Sequence, residues 1–264
     1  MDREKYKLPV LNTLYKSIVT ISNNSLTLFK ALLLPSIIMS LIFIGRKLIY
    51  QHLTPLEYKN FMRAMYYLTL QASTSIILGI ISAMFAVICH RIVLLGKESL
   101  PNYPGINLSR RELKYFGLIF LFGIPMAIGY MAIVFTLPLY INGINFPEDL
   151  ILLNRVWSIA GLVLITFIIA PFILVLPATA VEEEKPFNKA RLTVRGNRIR
   201  LAIVILIPAL IIYLARLALG HFGREIYNIP FVFFYFLLYF VFMVIQTVVL
   251  SVSYKTLACD RENT

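Results

Sequence analysis

Apolar residues in this chain come in long runs divided by short polar and basic stretches. The runs cover approximately Leu26 to Ile44, Tyr67 to Ile88, Tyr115 to Leu139, Val156 to Val181, Leu201 to Leu219 and Phe231 to Val252. Each is close to the ~20 residues a helix needs to cross a hydrocarbon core, so the pattern predicts six membrane-spanning helices. Ahead of the first run, Leu11, Leu14, Tyr15, Ile18, Val19 and Ile21 recur at helical spacing opposite Asn12, Lys16, Ser17 and Thr20. This segment is too short to span and predicts an amphipathic helix on the inner membrane surface. Ser22-Asn23-Asn24-Ser25 then breaks it and offers capping groups to the next helix.

The segment Leu14 to Ile38 returns at Phe187 to Ile211. The identical pairs are Lys16/Lys189, Thr20/Thr193, Asn24/Asn197, Leu28/Leu201, Leu33/Leu206, Pro35/Pro208 and Ile38/Ile211. A fainter copy between them keeps Leu118, Pro125 and Ile128. A fixed-spacing repeat sets architecture before anything else does. Here it predicts three similar hairpins, over about 11–91, 104–181 and 187–255, in one all-α integral membrane domain spanning 1–264. Hairpins of like orientation are related by an axis along the membrane normal, not by inversion.

Local signals place the helix ends. Ser109-Arg110-Arg111-Glu112 is a capping-box sequence. Pro147 followed by Glu148 and Asp149 suits a first helical turn, and Pro171 and Pro177 should kink or unwind the fourth span. Glu182-Glu183-Glu184-Lys185-Pro186 marks the start of a short basic helix, Phe187 to Arg195, which Gly196 closes. Ser73, Thr74, Ser75, Gly79, Ser82 and Ala83 in the second span allow helices to approach closely in lipid.

Charge orients the chain. Its formal net charge is +12, which in a soluble protein would suggest nucleic acid. Here the basic residues lie between spans, and nucleic acid is not an expected partner. Lys and Arg in alternate connections total 18 on one side and 7 on the other. The richer side is cytoplasmic, which puts both termini inside a bacterial inner membrane. Cys89 and Cys259 fall on that side, so no disulfide is expected. MDREKYKLPVLN lacks the layout of a signal peptide, so the first span is expected to remain.

The candidates for chemistry are few. Lys189, Arg191, Arg195, Arg198 and Arg200 are candidate contacts for anionic lipid headgroups; topological retention of cytoplasmic charge accounts for the same residues. His90, beside Cys89 and Arg91, reads as an interfacial histidine, and Glu182 to Glu184 as a solvated first turn. Arg216, a turn from the outer edge, can snorkel to water. The span centres carry no Asp, Glu, Lys or Arg, which argues against ion-coupled transport. Pro35, Pro125 and Pro208 read as shared structural kinks, and Asn107-Leu108-Ser109 as a cytoplasmic match to a glycosylation pattern. No metal, cofactor or catalytic motif is found. A membrane enzyme would have only His90, Arg91 and Tyr254 to draw on.

Two strings carry a resemblance. ICHRIVLLGKE holds Arg91, Val93, Leu94, Leu95 and Gly96, and LPATAVEEEKPFNKARLTVRGNRIRL holds Ala190, Thr193, Gly196 and Asn197. They are similar to uncharacterised bacterial inner-membrane proteins of the YciC type and to the membrane domain of some glycerophosphodiester phosphodiesterases. The resemblance implies six helices with membrane-parallel cytoplasmic segments and brings no activity, because the phosphodiesterase chemistry belongs to a separate soluble domain. The expected role is therefore non-enzymatic, in membrane or lipid homeostasis or as the membrane partner of another protein; a transporter or lipid-moving permease is the alternative.

Overall fold

A computed structural model describes residues 7–53, 61–99, 109–123, 147–223 and 229–262. These residues form helices and no strand. In chain order they are α1 (Val10–Asn23), α2 (Ser25–Leu53), α3 (Phe61–Leu95), a 3-10 turn (Lys97–Ser99), α4 (110–123), α5 (Pro147–Ile173), α6 (Val175–Ala180), α7 (Pro186–Val194), α8 (Arg198–Gly223) and α9 (Ile229–Glu262). Among the described residues, five segments are long and apolar enough to cross a membrane: Ser25–Ile49, Thr69–Leu95, Ile159–Ala180, Arg198–Ala215 and Val232–Ala258. Most of the expected span at 115–139, together with Pro125 and Asn107, lies outside the described residues.

The centre of the bundle is α9. It packs against α1, α2, α3, α6, α7 and α8, and every residue from Thr247 to Tyr254 is buried. The first half of α9 also leaves Phe234, Tyr235 and Val241 exposed, so both its packed and its outward faces are apolar, as in a helix surrounded by protein and lipid. Two edge-to-face aromatic pairs fix its N-terminal half: Phe85 against Phe240 at 4.9 Å and Phe43 against Phe236 at 5.5 Å. Contacts of this kind contribute about 0.5–1.5 kcal/mol beyond area burial. They matter here because apolar burial alone gives little drive when the solvent is lipid.

The two strong repeat copies fold alike at their matched positions. Thr20 and Thr193 each donate a hydroxyl proton to the carbonyl of the matched lysine, Lys16 and Lys189, at 2.7 Å. Asn24 and Asn197 then start α2 and α8 by accepting the N–H of the matched leucines, Leu28 at 2.9 Å and Leu201 at 2.8 Å. Pro35 and Pro208 lie inside α2 and α8, which run on past them. Pro177 behaves differently. Its ring occupies the space of a carbonyl four residues back, and α5 ends on that residue, Ile173, before α6 resumes at Val175.

The expected helix ends are found at three places. Pro186 occupies the first turn of α7, and Gly196 just beyond its end takes a φ of +89°, where glycine carries no steric penalty. At the head of α4 the Glu112 carboxylate accepts the Ser109 N–H at 2.9 Å and the Ser109 hydroxyl as well. In α3, Thr74, Ser82 and Ala83 are buried, whereas Ser73 and Ser75 are exposed.

At Gly79, α3 lies close against Phe116 of α4. A Cβ at this position would stand 3.0 Å from the Phe116 ring, which has few ways to retreat. Gly79→Ala is expected to lower thermal stability slightly and Gly79→Val to lower it by about 1–3 kcal/mol, the usual cost of overpacking. Thermal unfolding in detergent micelles measures both, and equal melting points for Gly, Ala and Val would show that α4 is free to move.

Candidate functional site: a buried histidine node beneath an ionic rim

Arg46 of α2 bonds Gln71 of α3 at 2.8 Å near one end of the bundle, and a denser set of polar side chains connects helices at the other. The deepest is His90, on α3 and fully buried. Its Nδ1 lies 2.7 Å from the Ser251 Oγ of α9, and its Nε2 lies 2.9 Å from the Tyr115 hydroxyl of α4. Counting protons fixes the direction of the chain. Ser251 has one hydroxyl proton and donates it to the Thr247 carbonyl at 2.9 Å. Ser251 therefore accepts from Nδ1–H, and Nε2 accepts from Tyr115. In this sense every group is satisfied; the reverse would leave the buried Tyr115 proton without an acceptor. The proton of Ser251 points away from His90, opposite to what activation of a serine nucleophile requires. The node is a structural clamp on α3, α4 and α9. It differs from the interfacial histidine that the sequence suggests, because both of its partners come from far along the chain.

Next to this node lies an ionic layer. Arg91 and Arg111 face the Glu182 carboxylate at 3.6 and 3.5 Å, and Arg111 also grips Glu112 at 2.7 Å. Glu183 accepts from Lys189 at 2.6 Å and from the Tyr254 hydroxyl at 3.0 Å. Glu182 and Glu183 thus tie α3, α4, α7 and α9 together, and the expected solvated acidic turn is a junction. A local cause brings them there. The end of α6 closes with the Glu182 N–H on the Thr179 carbonyl and the Glu183 N–H on the Ala178 carbonyl, both at 3.1 Å. This pairing places the residue after the helix in the left-handed region, normally as glycine; here it is Glu182, with φ +60°.

The five candidate lipid contacts divide. Lys189 is held by Glu183, and Arg200 donates to the Leu8 carbonyl at 3.1 Å. Asn197 completes that clamp by accepting the Leu8 N–H at 2.8 Å, and Leu8 is fully buried. Arg191, Arg195 and Arg198 are exposed and make no ion pair among the described residues. Their neighbours Phe187, Leu192 and Ile199 are exposed as well. The three residues open to a membrane enzyme take separate partners: His90 bonds Ser251 and Tyr115, Arg91 faces Glu182, and Tyr254 meets Glu183. Cys89 is buried and free. Among the described residues no group of His, Cys, Asp and Glu is placed to hold a metal.

Two measurements probe this layer. Tyr115→Phe strands Nε2 and Ser251→Ala strands Nδ1–H, so each is expected to cost about 1–3 kcal/mol. The two changes, each combined with His90→Leu, should cost less than the sum of the single effects; strict additivity would remove the node. For Glu112, burial pushes its carboxyl up, but the hydrogen bonds from Ser109 and Arg111 outweigh burial and hold it below the usual carboxylate range. Its stabilisation is therefore complete above the unfolded value and is lost as pH falls through the folded one. Acid unfolding of Glu112→Gln should lack that component, and superimposable acid profiles for variant and wild type would argue against it. No protein family, curated protein or solved structure matches this chain.

Proposed function

We propose that the chain is a six-span protein of the bacterial inner membrane. Both termini are cytoplasmic, the three hairpins share one orientation, and residues 115–139 supply the sixth span. It acts in lipid or envelope homeostasis by holding anionic phospholipid at its cytoplasmic face and catalyses no reaction. The observation that carries this reading is the outward face of the short helices. α1 turns Thr13 and Ser17 inward and leaves Leu11, Tyr15 and Ile18 exposed, Leu11 at 81%. α7 presents Phe187 and Leu192 beside Arg191 and Arg195. An apolar face turned outward beside uncompensated arginine suits the acyl–headgroup boundary of an anionic leaflet. The resemblance to YciC-type proteins, with their membrane-parallel segments, is in keeping with it. Transport would need a polar path between spans; Phe85, Phe240 and Val248, fully buried where such a path would run, support the other reading.

The test is lipid retention. The protein is reconstituted in nanodiscs of equal phosphatidylglycerol and phosphatidylcholine, extracted, and its bound lipid measured by mass spectrometry. Wild type is expected to enrich phosphatidylglycerol. Arg191→Gln, Arg195→Gln and Arg198→Gln together should abolish the enrichment, since each charge near the surface contributes about 1 kcal/mol. Equal enrichment by the triple variant would remove the proposal.

A further inference from the structure

We infer that Arg91 and Arg111 form a receptor for one phosphate group at headgroup depth, a place that Glu182 fills here as an internal stand-in. This rests on residues other than the surface arginines and does not require them.

The first observation is an under-served guanidinium. The Arg91 side chain is only 18% exposed. Yet its contacts are all long: Ser99 carbonyl at 3.4 Å, Ala180 carbonyl at 3.5 Å and Glu182 at 3.6 Å. Charge-assisted bonds to oxygen normally close to 2.7–2.9 Å, and a guanidinium has five donors to place. Arg111, 21% exposed, commits its Nε and one terminal nitrogen to Glu112 at 3.0 and 2.7 Å. Its remaining nitrogen turns to the same Glu182 oxygen that Arg91 faces, at 3.5 Å. Two half-buried cations thus converge on one oxygen that reaches neither well.

The second observation is that the occupant is weakly held. The Glu182 side chain is 63% exposed, where ion pairs contribute little. Its left-handed backbone costs about 1–2 kcal/mol in any residue but glycine. In the same turn the buried Thr179 hydroxyl has no hydrogen-bond partner among the described residues.

Charge and depth select the ligand. With Glu112 fixed on Arg111, the site balances with one negative charge, which Glu182 now provides. A phosphodiester carries one negative charge and several oxygens, so it can replace the carboxylate charge for charge while meeting both guanidiniums at once. Arg91 lies in the last turns of the segment Thr69–Leu95, so on the membrane placement proposed above it stands at the level of the phospholipid phosphates. A free phosphate offers the same chemistry without the acyl chains.

The experiment is calorimetric titration of the full chain in detergent micelles, with inorganic phosphate in one arm and dihexanoyl phosphatidylglycerol in the other. Glu182→Gly removes the stand-in and suits the left-handed backbone, so it should bind at least tenfold tighter than wild type. Arg91→Gln should lose binding. Arg91→Lys keeps the charge but not the fork, covers the case of a Gln variant that does not fold, and should weaken binding at least tenfold. Tightening in both arms identifies phosphate itself as the ligand, and tightening in the lipid arm alone identifies the headgroup; either supports the receptor. If Glu182→Gly binds neither compound more tightly than wild type, the assignment is overturned. It is equally overturned if the Arg191, Arg195 and Arg198 triple variant loses the titration, because the phosphate would then sit on the outer surface.

Discussion

Inside a lipid-embedded bundle a polar group has no water to fall back on, so it must find its partner in protein. Most hydroxyls here meet that demand locally. Thr13, Ser17, Ser36, Ser40, Thr166, Thr193 and Ser253 each donate to the carbonyl four residues back. A side chain bonded in this way presents only a small, nearly apolar surface, which is how α9 carries Ser251 and Ser253 through the middle of the bundle. His90 cannot do the same. Its two ring nitrogens point in opposite directions, so both partners must come from other helices. That requirement fixes how α3, α4 and α9 stand against one another.

The ionic rim obeys the same rule in a wetter setting. Arg91 and Arg111 stand near helix ends, where a guanidinium need not be fully desolvated, and Glu112 and Glu182 supply their counter-charge, while Glu183 serves Lys189. The pairs differ in strength because they differ in geometry. Glu112 sits in a capping arrangement that makes it acceptor to Ser109 and Arg111 together. Glu182 is held only by long contacts from a strained backbone. The rim therefore combines one rigid junction with one that yields.

Features set by a few consecutive residues were legible in the sequence. Ser109 and Glu112 announce the start of α4, Pro186 and Gly196 bracket α7, and Pro177 breaks the fourth apolar run. Each follows from local sterics or local hydrogen bonding, so no knowledge of the fold is needed. The roles of His90, Glu182 and Glu183 were not legible. His90 meets a serine 161 positions away, and Glu183 meets Tyr254 71 positions away. Apolar runs without internal charge specify that helices span, but not which faces meet, because lipid-facing and core-facing residues are equally apolar. The repeat carries some of this missing information. Its conserved Asn24 and Asn197 open their helices in the same way, while only Asn197 has Leu8 to hold.

Amphipathicity in α1 has the opposite sense to that of a soluble surface helix. Its small polar residues, Thr13 and Ser17, face the bundle beside Val10 and Leu14, and Leu11, Tyr15, Ile18 and Val19 face out. Inward, short side chains bonded to their own helix let α1 lie close to α8 and α9; outward, lipid is the better solvent for leucine, tyrosine and isoleucine. The same logic sorts the five cations from Lys189 to Arg200. Lys189 and Arg200 reach acceptors in the protein and become part of the fold. Arg191, Arg195 and Arg198 lie on the outer arc, where no acidic side chain reaches them. Counting charges per connection treats all five alike and so yields orientation alone. The division between spent and unspent charge comes from packing, and it places Arg191, Arg195 and Arg198 along α7 and the first turn of α8.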